Sequence, residues 1–209
     1  DVAAFRLQAF SLEEQRRIAK ILDTADETIQ ATEHVIAKLE QAARGLIRSE
    51  LEGLGGKWFP LGQLARFSNG FSFPADSWTD SGYPIIRIQN LNGSTEFNHY
   101  SGSPQESWRV RPGDLLFAWS GMRETSFGPS LWSGPEGVLN QHIFRVEPDG
   151  DIVDKRFLYL LLDDQKLGIA DLAHGFKDSF VHVTRRELTS YKVRVPSIDQ
   201  QRRLVEASE

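Results

Sequence analysis

The first quarter of the chain carries a narrow apolar seam. Between Ile18 and Leu46, apolar or small residues recur in alternating steps of four and three, a pattern sustained for four heptads. No Pro or Gly interrupts it before Gly45, and a cluster of glycines follows it. The pattern predicts one long helix over residues 11–56, about 60 Å in length. A helix packed along its own domain is the alternative, but so narrow a seam favours pairing with another helix. The seam positions are Ile18, Leu22, Ala25, Ile29, Thr32, Ile36, Leu39, Ala43 and Leu46.

The pattern changes after residue 56. Short runs of alternating apolar residues are separated there by Gly, Pro, Ser and Asn clusters, which is typical of strands joined by turns. One helix is predicted from Lys155 to Lys166, with the solvated pair Asp163-Asp164 near its end. The predicted fold class is therefore α+β: a strand-rich domain with a few helices, flanked by a long coiled-coil-like helix. Strands are expected at Tyr83 to Ile88, Asp114 to Trp119, Gln141 to Val146 and Tyr191 to Val195.

An internal repeat organises the chain. The fourteen residues from Phe5 to Ile18 recur from Tyr191 to Leu204, at a constant offset of 186 residues and without a gap. Each copy reads as a strand followed by the start of a helix, with Ser11 or Ser197 as the N-cap and acidic residues in the first turn. The chain therefore runs from the end of one repeat unit, through a whole unit, into the next.

Composition limits the function classes. The net charge is −5, and the acidic excess lies mainly in the predicted helices, since residues 57–196 hold 15 Lys and Arg against 16 Asp and Glu. This argues against a protein that coats nucleic acid through bulk positive charge, although clustered basic residues could still bind it. There are no cysteines, no membrane span and no signal peptide, which fits a cytoplasmic location.

Motifs for catalysis are missing from the sequence. The five histidines show no metal-ligand spacing, and no phosphate-binding glycine loop or nucleophile elbow occurs. The chain is therefore expected to be a binding protein, not an enzyme, with no metal or cofactor of its own. The polar tripeptide Asn140-Gln141-His142 could hold polar groups in a site, but we interpret it as buried hydrogen bonding inside the fold.

Four predicted loops combine aromatic residues with Ser, Asn, Gln, Thr, Arg and Lys. They lie around residues 68–79, 89–95, 120–127 and 175–180. Such side chains contact phosphates and base edges in DNA complexes. The residues alone leave two interpretations open, namely DNA contact or ordinary turns above buried aromatic rings.

The sequence resembles the target-recognition domain of type I restriction-modification specificity subunits. The resemblance rests chiefly on the segment from Gly113 to Gly121, on Trp132 and on the segment from Leu139 to Val146. Further similar segments start at Leu61, Gly82 and Val181, and the Gln-Arg-Arg copies resemble the start of the spacer helix. One departure is Phe10, where the second copy has Pro196.

The resemblance implies a non-catalytic subunit that reads one half of a two-part DNA target. It divides the chain into the end of a preceding unit (1–10), a spacer helix (11–56), a recognition domain (57–196) and the start of a second spacer helix (197–209). The implied partners are double-stranded DNA, DNA methyltransferase subunits and motor-nuclease restriction subunits, and the seam suggests a homodimer. The residues expected to contact DNA are Ser68, Asn69, Ser72, Arg87, Gln89, Asn90, Asn92, Ser120, Arg123, Thr125, Lys177 and Ser179.

Two other interpretations stay open. The chain could be the recognition portion of a single-chain restriction-methylation enzyme, whose catalytic domains would lie before Asp1. It could also be a coiled-coil scaffold with no role in DNA binding. The sequence does not specify the target bases, because recognition depends on loop geometry and no code relates it to residues.

Overall fold

The long helix forms as its pattern predicts. In this computed structural model, which describes residues 10–173 and 180–208, helix α1 spans Leu12–Gly53. A capping box starts it: the Ser11 amide and hydroxyl donate to the Glu14 carboxylate at 2.9 and 2.7 Å, and the Glu14 amide donates to Ser11 Oγ at 3.3 Å. The predicted end of a preceding unit lies outside the described residues, except for Phe10.

All nine seam positions of α1 are exposed to solvent in the single chain. Leu39 and Leu46 are 65% and 70% exposed, values far from those of a packed helix face. At the middle of the seam the Thr32 hydroxyl donates to the Thr28 carbonyl oxygen at 2.8 Å. Thr32 therefore needs no polar partner from elsewhere, and its small side chain leaves room for a close helix crossing.

The chain divides into two compact units, residues 1–46 and 47–209. The last turns of α1 thus belong to the second unit, where Leu51 packs against the core and Arg48 Nε lies 2.8 Å from Asp164 Oδ1. Our expectation for Asp163-Asp164 is wrong, because the helix that holds the pair continues to Ala170. Both carboxylates form ion pairs instead: Asp163 with Lys166 of the same helix, and Asp164 with Arg48 of α1.

The second unit is built mainly on two four-stranded sheets, which confirms an α+β fold rich in strands. The strands are β1 (Lys57–Pro60), β2 (Ala65–Asn69), β3 (Tyr83–Ile86), β4 (His99–Tyr100), β5 (Arg109–Val110), β6 (Leu115–Ala118), β7 (Ser120–Met122), β8 (Gly128–Leu131), β9 (Gly137–Leu139), β10 (Ile143–Pro148), β11 (Phe180–His182) and β12 (Lys192–Val195). The first sheet has the order β2-β10-β6-β8 and the second β4-β3-β9-β5, while β1 pairs with β12 and β7 with β11.

The two faces of the first sheet bury different cores because side chains alternate along a strand. On β6, Leu115 and Phe117 face the main core, to which the helix at Lys155–Ala170 contributes, whereas Leu116 faces a smaller core shared with β3 and β9. The helices after α1 are α2 (Leu61–Leu64), α3 (Ile88–Leu91), α4 (Lys155–Ala170), α5 (Arg185–Ser190) and α6 (Ile198–Ser208).

One end of the first sheet is closed by the chain termini of the unit. There β1 and β12 pair antiparallel, the Asp149 amide donates to the Leu64 carbonyl oxygen at 2.8 Å, and α6 buries Gln201. We call this the helix end of the recognition domain. The predicted strands and both predicted helix starts are therefore confirmed as elements, with bounds that shift by no more than two residues.

Candidate nucleic-acid interface

The opposite end of the first sheet gathers the predicted loops. Strands β2 and β6 both run antiparallel to β10, with Asn69 opposite Phe144 and Ala118 opposite Ile143. Two strands therefore end where β10 begins, and β8 also starts there, since Gly128 lies opposite Ala118. The loops that follow β2 and β6 consequently leave from one edge, which we call the loop end.

A loop of the second sheet, the one that follows β3, also leaves at the loop end. Strands β3 and β9 run parallel, with Ile86 opposite Leu139, so their carboxyl ends coincide. After β9 the chain turns through residues 140–142 directly into β10 of the first sheet. The Asn140 amide donates to the Ile86 carbonyl oxygen at 2.9 Å, which fixes this turn beside the loop that leaves β3.

The fourth predicted loop is only partly described. Lys177 and Ser179 lie outside the described residues. The strand that follows them, β11, pairs with β7 so that Phe180 lies opposite Met122 and His182 opposite Ser120. The chain thus re-enters the domain beside the loop that follows β6.

The loop after β2 rests on aromatic rings. Phe71 stacks on Trp108 with ring centroids 4.2 Å apart, and Phe73 is buried below it. Above these rings Asn69 and Ser72 are exposed, whereas Ser68 is half-buried opposite Arg145 in the sheet. Asn69 and Ser72 are therefore open to solvent at the loop end, whereas Ser68 is part of the sheet.

The loop after β3 has one side chain that holds the loop together and two that face the solvent. Asn90 is 6% exposed; its Oδ1 accepts from the Arg87 amide at 2.9 Å, and its Nδ2 donates to the carbonyl oxygens of Ser94 and Glu96 at 3.0 and 2.9 Å. The side-chain amide of Asn90 therefore holds the loop together. Gln89 and Asn92, by contrast, are exposed on the same loop.

Arg87 is held in place from two sides. Its guanidinium carbon lies 4.3 Å from the centre of the Trp78 ring, and its Nη2 donates to the Asn98 side chain. A cation stacked on an indole keeps its charge but loses conformational freedom. Arg87 is thus a pre-oriented positive charge where two loops meet.

The loop after β6 is tied back to the domain. Ser120 is buried in β7, and Arg123 forms an ion pair with Asp171 and donates to the Leu167 carbonyl oxygen at 3.3 Å. Arg123 thus connects the turn to the end of α4. Thr125 at the tip of the turn is exposed.

The sequence interpretation missed one group of side chains at the loop end. We expected Asn140-Gln141-His142 to be buried, which is wrong: Asn140 and Gln141 are half-buried and His142 is exposed. Beside them lies Trp119, whose ring meets His142 and His182 edge-on, with centroids 5.4 and 4.7 Å apart. The available signal was a polar tripeptide between two apolar strands, which predicts a turn at a sheet end as readily as a buried network.

The described residues contain neither a metal-binding cluster nor a membrane-spanning helix. No group of three His, Asp or Glu side chains in residues 10–173 and 180–208 is arranged to hold a metal ion. In the same ranges, no helix is long and apolar enough to span a membrane.

Comparisons with known proteins agree on one family. Residues 56–207 match the family model described as type I restriction modification DNA specificity domain. The specificity subunit of the type I restriction enzyme EcoBI from Escherichia coli is 26% identical over 171 residues, which covers 78% of this chain and 35% of that subunit.

Solved structures show the same fold. The HsdS subunit from Thermoanaerobacter tengcongensis is similar with a TM-score of 0.59 at 20% identity, over 94% of this chain and 50% of that one. The S subunit of a type I restriction-modification system from M. genitalium has a TM-score of 0.55 at 15% identity, over 95% and 54% of the two chains. The chain thus spans between a third and about half of the length of these relatives.

Proposed function

Because the chain belongs to the family of type I restriction-modification DNA specificity domains, as its motifs predicted, we propose that its loop end reads one half of a two-part DNA target. DNA recognition is the family's function, and specificity subunits carry no catalysis of their own, so the expectation of a non-catalytic chain is confirmed.

The convergence of separate loops on one turn carries this proposal. Loops that are far apart in sequence leave the two sheets at a single edge, where rigid strands fix their roots. Such a scaffold holds several polar side chains against one ligand at little entropic cost. The helix end, which is occupied by α2, α6 and the β1–β12 pair, offers no comparable set of loops among the described residues.

Within the predicted DNA-binding set, the residues take different roles. We assign contact with bases or phosphates to the exposed side chains and to Arg87, and we retain Lys177 and Ser179 from the sequence. Ser68, Asn90, Ser120 and Arg123 act by shaping the loops, because each is buried, half-buried or bound to a neighbouring element. The side chains assigned to contact are Asn69, Ser72, Arg87, Gln89, Asn92 and Thr125.

Binding by the assembled complex tests the placement. Arg87→Ala is expected to weaken binding of the cognate duplex, and Arg185→Ala, an exposed arginine at the helix end, serves as the matched control. A phosphate contact weakens all sequences alike, whereas a base contact lowers specificity at one position by about 1–3 kcal/mol. If Arg87→Ala, Asn92→Ala and Thr125→Ala all bind as the parent does, the loop end is not the DNA surface.

The remaining partners follow from the same family membership. We propose that the chain acts in the cytoplasm with DNA methyltransferase and restriction subunits, which supply the chemistry. The curated relative is named a specificity subunit, which favours a separate subunit over the single-chain restriction-methylation enzyme. An adenine methyltransferase motif upstream in the same gene would support the single-chain alternative.

For α1 we propose pairing with the α1 of a second copy, in antiparallel orientation. The exposed apolar seam supports this, because burying one Ile or Leu contributes about 1.5–3 kcal/mol and an isolated helix is marginal in water. Ile29→Asp together with Ile36→Asp should halve the mass measured by light scattering and lower the helix content. Gln30→Asp with Ala37→Asp, one residue further along, is the matched control. A parent chain that is monomeric with α1 folded contradicts the pairing.

A further inference from the structure

Arg87 is the only arginine between residues 57 and 148, a stretch that the structure describes completely, that forms no ion pair. The other arginines of this stretch pair with Glu106, Glu147 or Asp171; they are Arg66, Arg109, Arg111, Arg123 and Arg145. No described carboxylate therefore neutralises the charge of Arg87 directly. A guanidinium that is left without an anion in the folded domain is available to an anionic ligand.

The two partners of the Arg87 side chain are both neutral. The guanidinium carbon lies 4.3 Å from the centre of the Trp78 ring, and Nη2 donates to Oδ1 of Asn98. The guanidinium donates no other hydrogen bond among the described residues, so the N–H groups on Nε and Nη1 are left to donate. These contacts restrict the orientation of the side chain and leave its positive charge intact.

Trp78 is itself fixed by a hydrogen bond of its indole. Its Nε1 donates to the Phe73 carbonyl oxygen at 3.0 Å, and the buried Phe73 ring lies with its centroid 5.0 Å from that of Tyr100. The edge of the indole is thus tied to the aromatic base of the loop after β2, while its face carries Arg87. The fold therefore sets the orientation of the Trp78 ring and, with it, the position of the charge.

Asn98 is fixed beside the same loop. Its carbonyl oxygen accepts from the Ile85 amide of β3 at 2.8 Å, two residues before Arg87. The carbonyl oxygen of the next residue, His99, accepts from the Thr79 amide at 3.0 Å, which joins this segment to the one that holds Trp78. Both supports of Arg87 thus belong to one hydrogen-bonded framework, so little side-chain freedom is left to lose when the guanidinium meets a ligand.

The surroundings of Arg87 in the family point to a ligand that all DNA targets have in common. Arg87 lies in the segment from Gly82 that is similar to other specificity domains. Domains that recognise different sequences share no base edge, but all of them meet the phosphate backbone. Phosphate contacts fix the register of a protein on the duplex and carry no sequence information. The planar guanidinium also matches the geometry of phosphate oxygens.

We propose that Arg87 binds a backbone phosphate of the target DNA and that Trp78 and Asn98 are its positioning residues. The inference rests on the proposed DNA-reading function of the loop end. Arg87 holds the domain in register on the duplex, so that the variable loop residues meet the base edges. The indole face and the Asn98 side chain keep the guanidinium aimed without cancelling the charge that the phosphate requires.

The test measures DNA binding by the complete subunit in its assembled complex, at several salt concentrations. Arg87→Ala should weaken the cognate duplex and duplexes with single base-pair changes by the same factor, roughly 10-fold. It should also reduce the slope of log affinity against log salt by about 1, as expected for one lost phosphate contact. Arg87→Lys keeps the charge but not the planar fork, so it should keep the slope and bind with intermediate affinity.

The helix end offers a matched control pair. There the guanidinium carbon of Arg194 lies 5.3 Å from the centre of the Trp58 ring, and both residues are exposed. Arg194→Ala and Trp58→Ala remove the same kind of stacked pair from a surface without the reading loops. Both variants should leave the affinity and the salt slope unchanged.

A double-mutant cycle tests the positioning role. Trp78→Ala should weaken binding roughly 2- to 30-fold in the parent and have no further effect when Arg87→Ala is already present. Trp78→Phe keeps a ring face for the guanidinium and should retain most of the affinity. Asn98→Ala, which removes the acceptor of Nη2, is measured in the same cycle. A loss that is equal in both backgrounds acts on the loop itself and overturns the positioning role.

The possible results separate this inference from the proposed function. If the loss in Arg87→Ala depends on the identity of one base pair, Arg87 reads a base and the phosphate assignment is wrong. If Arg87→Ala keeps the affinity and salt slope of the parent while Asn92→Ala or Thr125→Ala weakens binding, the inference is wrong and the loop end still binds DNA. If none of the three affects binding, the proposed function fails as well.

Discussion

The two copies of the helix-start motif have the same local structure and different surroundings. In each copy a serine caps the helix and bonds to the residue three positions on, Glu14 for Ser11 and Gln200 for Ser197. A glutamine then donates from Nε2 to the carbonyl oxygen before the serine, at 2.8 Å from Gln15 to Phe10 and at 2.9 Å from Gln201 to Pro196. Local sequence therefore produces a similar cap twice, although only Ser11 Oγ accepts from the amide three positions on, that of Glu14 at 3.3 Å, among the described residues.

The surroundings of the two glutamines differ. Gln201 is 0% exposed, and it also accepts from the Asp154 amide at 2.8 Å and donates to the Ile152 carbonyl oxygen at 3.0 Å. Gln15 is exposed, and among the described residues its side chain makes only the bond to Phe10. One motif thus serves as a simple cap in α1 and as the anchor of α6 on the recognition domain, so its energetic role depends on what lies against it.

The largest expected difference between the copies concerns the glutamines. Gln201→Ala leaves the Asp154 amide and the Ile152 and Pro196 carbonyl groups without their partner, at about 1–3 kcal/mol for each buried group that stays unsatisfied. We expect the free energy of unfolding to fall by about 2–4 kcal/mol in urea titrations. Gln15→Ala, the matched control, should change it by less than about 0.5 kcal/mol, as exposed substitutions usually do. Equal losses of unfolding free energy in both variants would mean that the glutamine stabilises the helix cap and not the contact between α6 and the recognition domain.

The apolar residue three positions after each glutamine should show a smaller difference. Leu204 is 7% exposed, whereas its counterpart Ile18 is 43% exposed. Leu204→Ala should lower the free energy of unfolding by about 2–3 kcal/mol, because it leaves a cavity under α6. Ile18→Ala should cost less than about 1 kcal/mol in a monomer. If Ile18→Ala proves as costly as Leu204→Ala under dilute conditions, α1 is covered by another chain.

The serine caps should respond alike. Ser11→Ala and Ser197→Ala each remove a hydroxyl that bonds to the first turn, and loss of an N-cap costs about 1 kcal/mol. Amide hydrogen exchange in the first turn of each helix measures the effect locally. A loss confined to one copy contradicts the local equivalence of the two caps.

The smallest expected difference is in how the stability of the two caps depends on pH. Hydrogen bonds from the Ser11 side chain and then from its backbone lower the pKa of Glu14 below that of an ordinary glutamate. Since the folded-state pKa is depressed, the contribution to stability is present above the ordinary glutamate pKa, about 4.3, and is lost as the pH falls through the folded pKa.

Gln200 does not titrate, so amide protection in the first turn of α6 should lack this acid step. Glu14→Gln should remove it from α1 as well. Protection factors measured between about pH 3 and pH 7 decide the point. A step that persists in Glu14→Gln belongs to another group.

The fold was predictable where the hydrophobic pattern of a segment alone identifies its secondary structure. The heptad seam predicted α1 within three residues at each end, and alternation located β6 and β10, two of the four strands of the first sheet. The end of α4 was not predictable from the pattern, because Asp163 and Asp164 look like a polar terminus until Arg48 and Lys166 supply their partners. The pairing of β3 with β9 could not be read from the sequence either, since it joins strands separated by a long stretch of chain.

The candidate site was predictable in composition but not in arrangement. The sequence indicated which loops hold polar and aromatic residues, because local composition shows this. It did not separate Asn90, which is buried within its loop, from Gln89 beside it, which is exposed. It also misplaced Asn140-Gln141-His142, because exposure at the meeting point of two sheets depends on the topology of both sheets.

By itself, the sequence determined the local structures: the capped helix starts, the long helix with its seam and the alternating strands. These depend on dihedral preferences and on hydrogen bonds between residues a few positions apart, which are the same wherever the segment lies. Only the tertiary structure decided that Gln201 is an anchor while Gln15 is a surface residue, and that loops after β2, β3 and β6 meet at one turn. Burial and convergence are properties of contacts between distant segments, and a repeated motif acquires different surroundings each time it occurs.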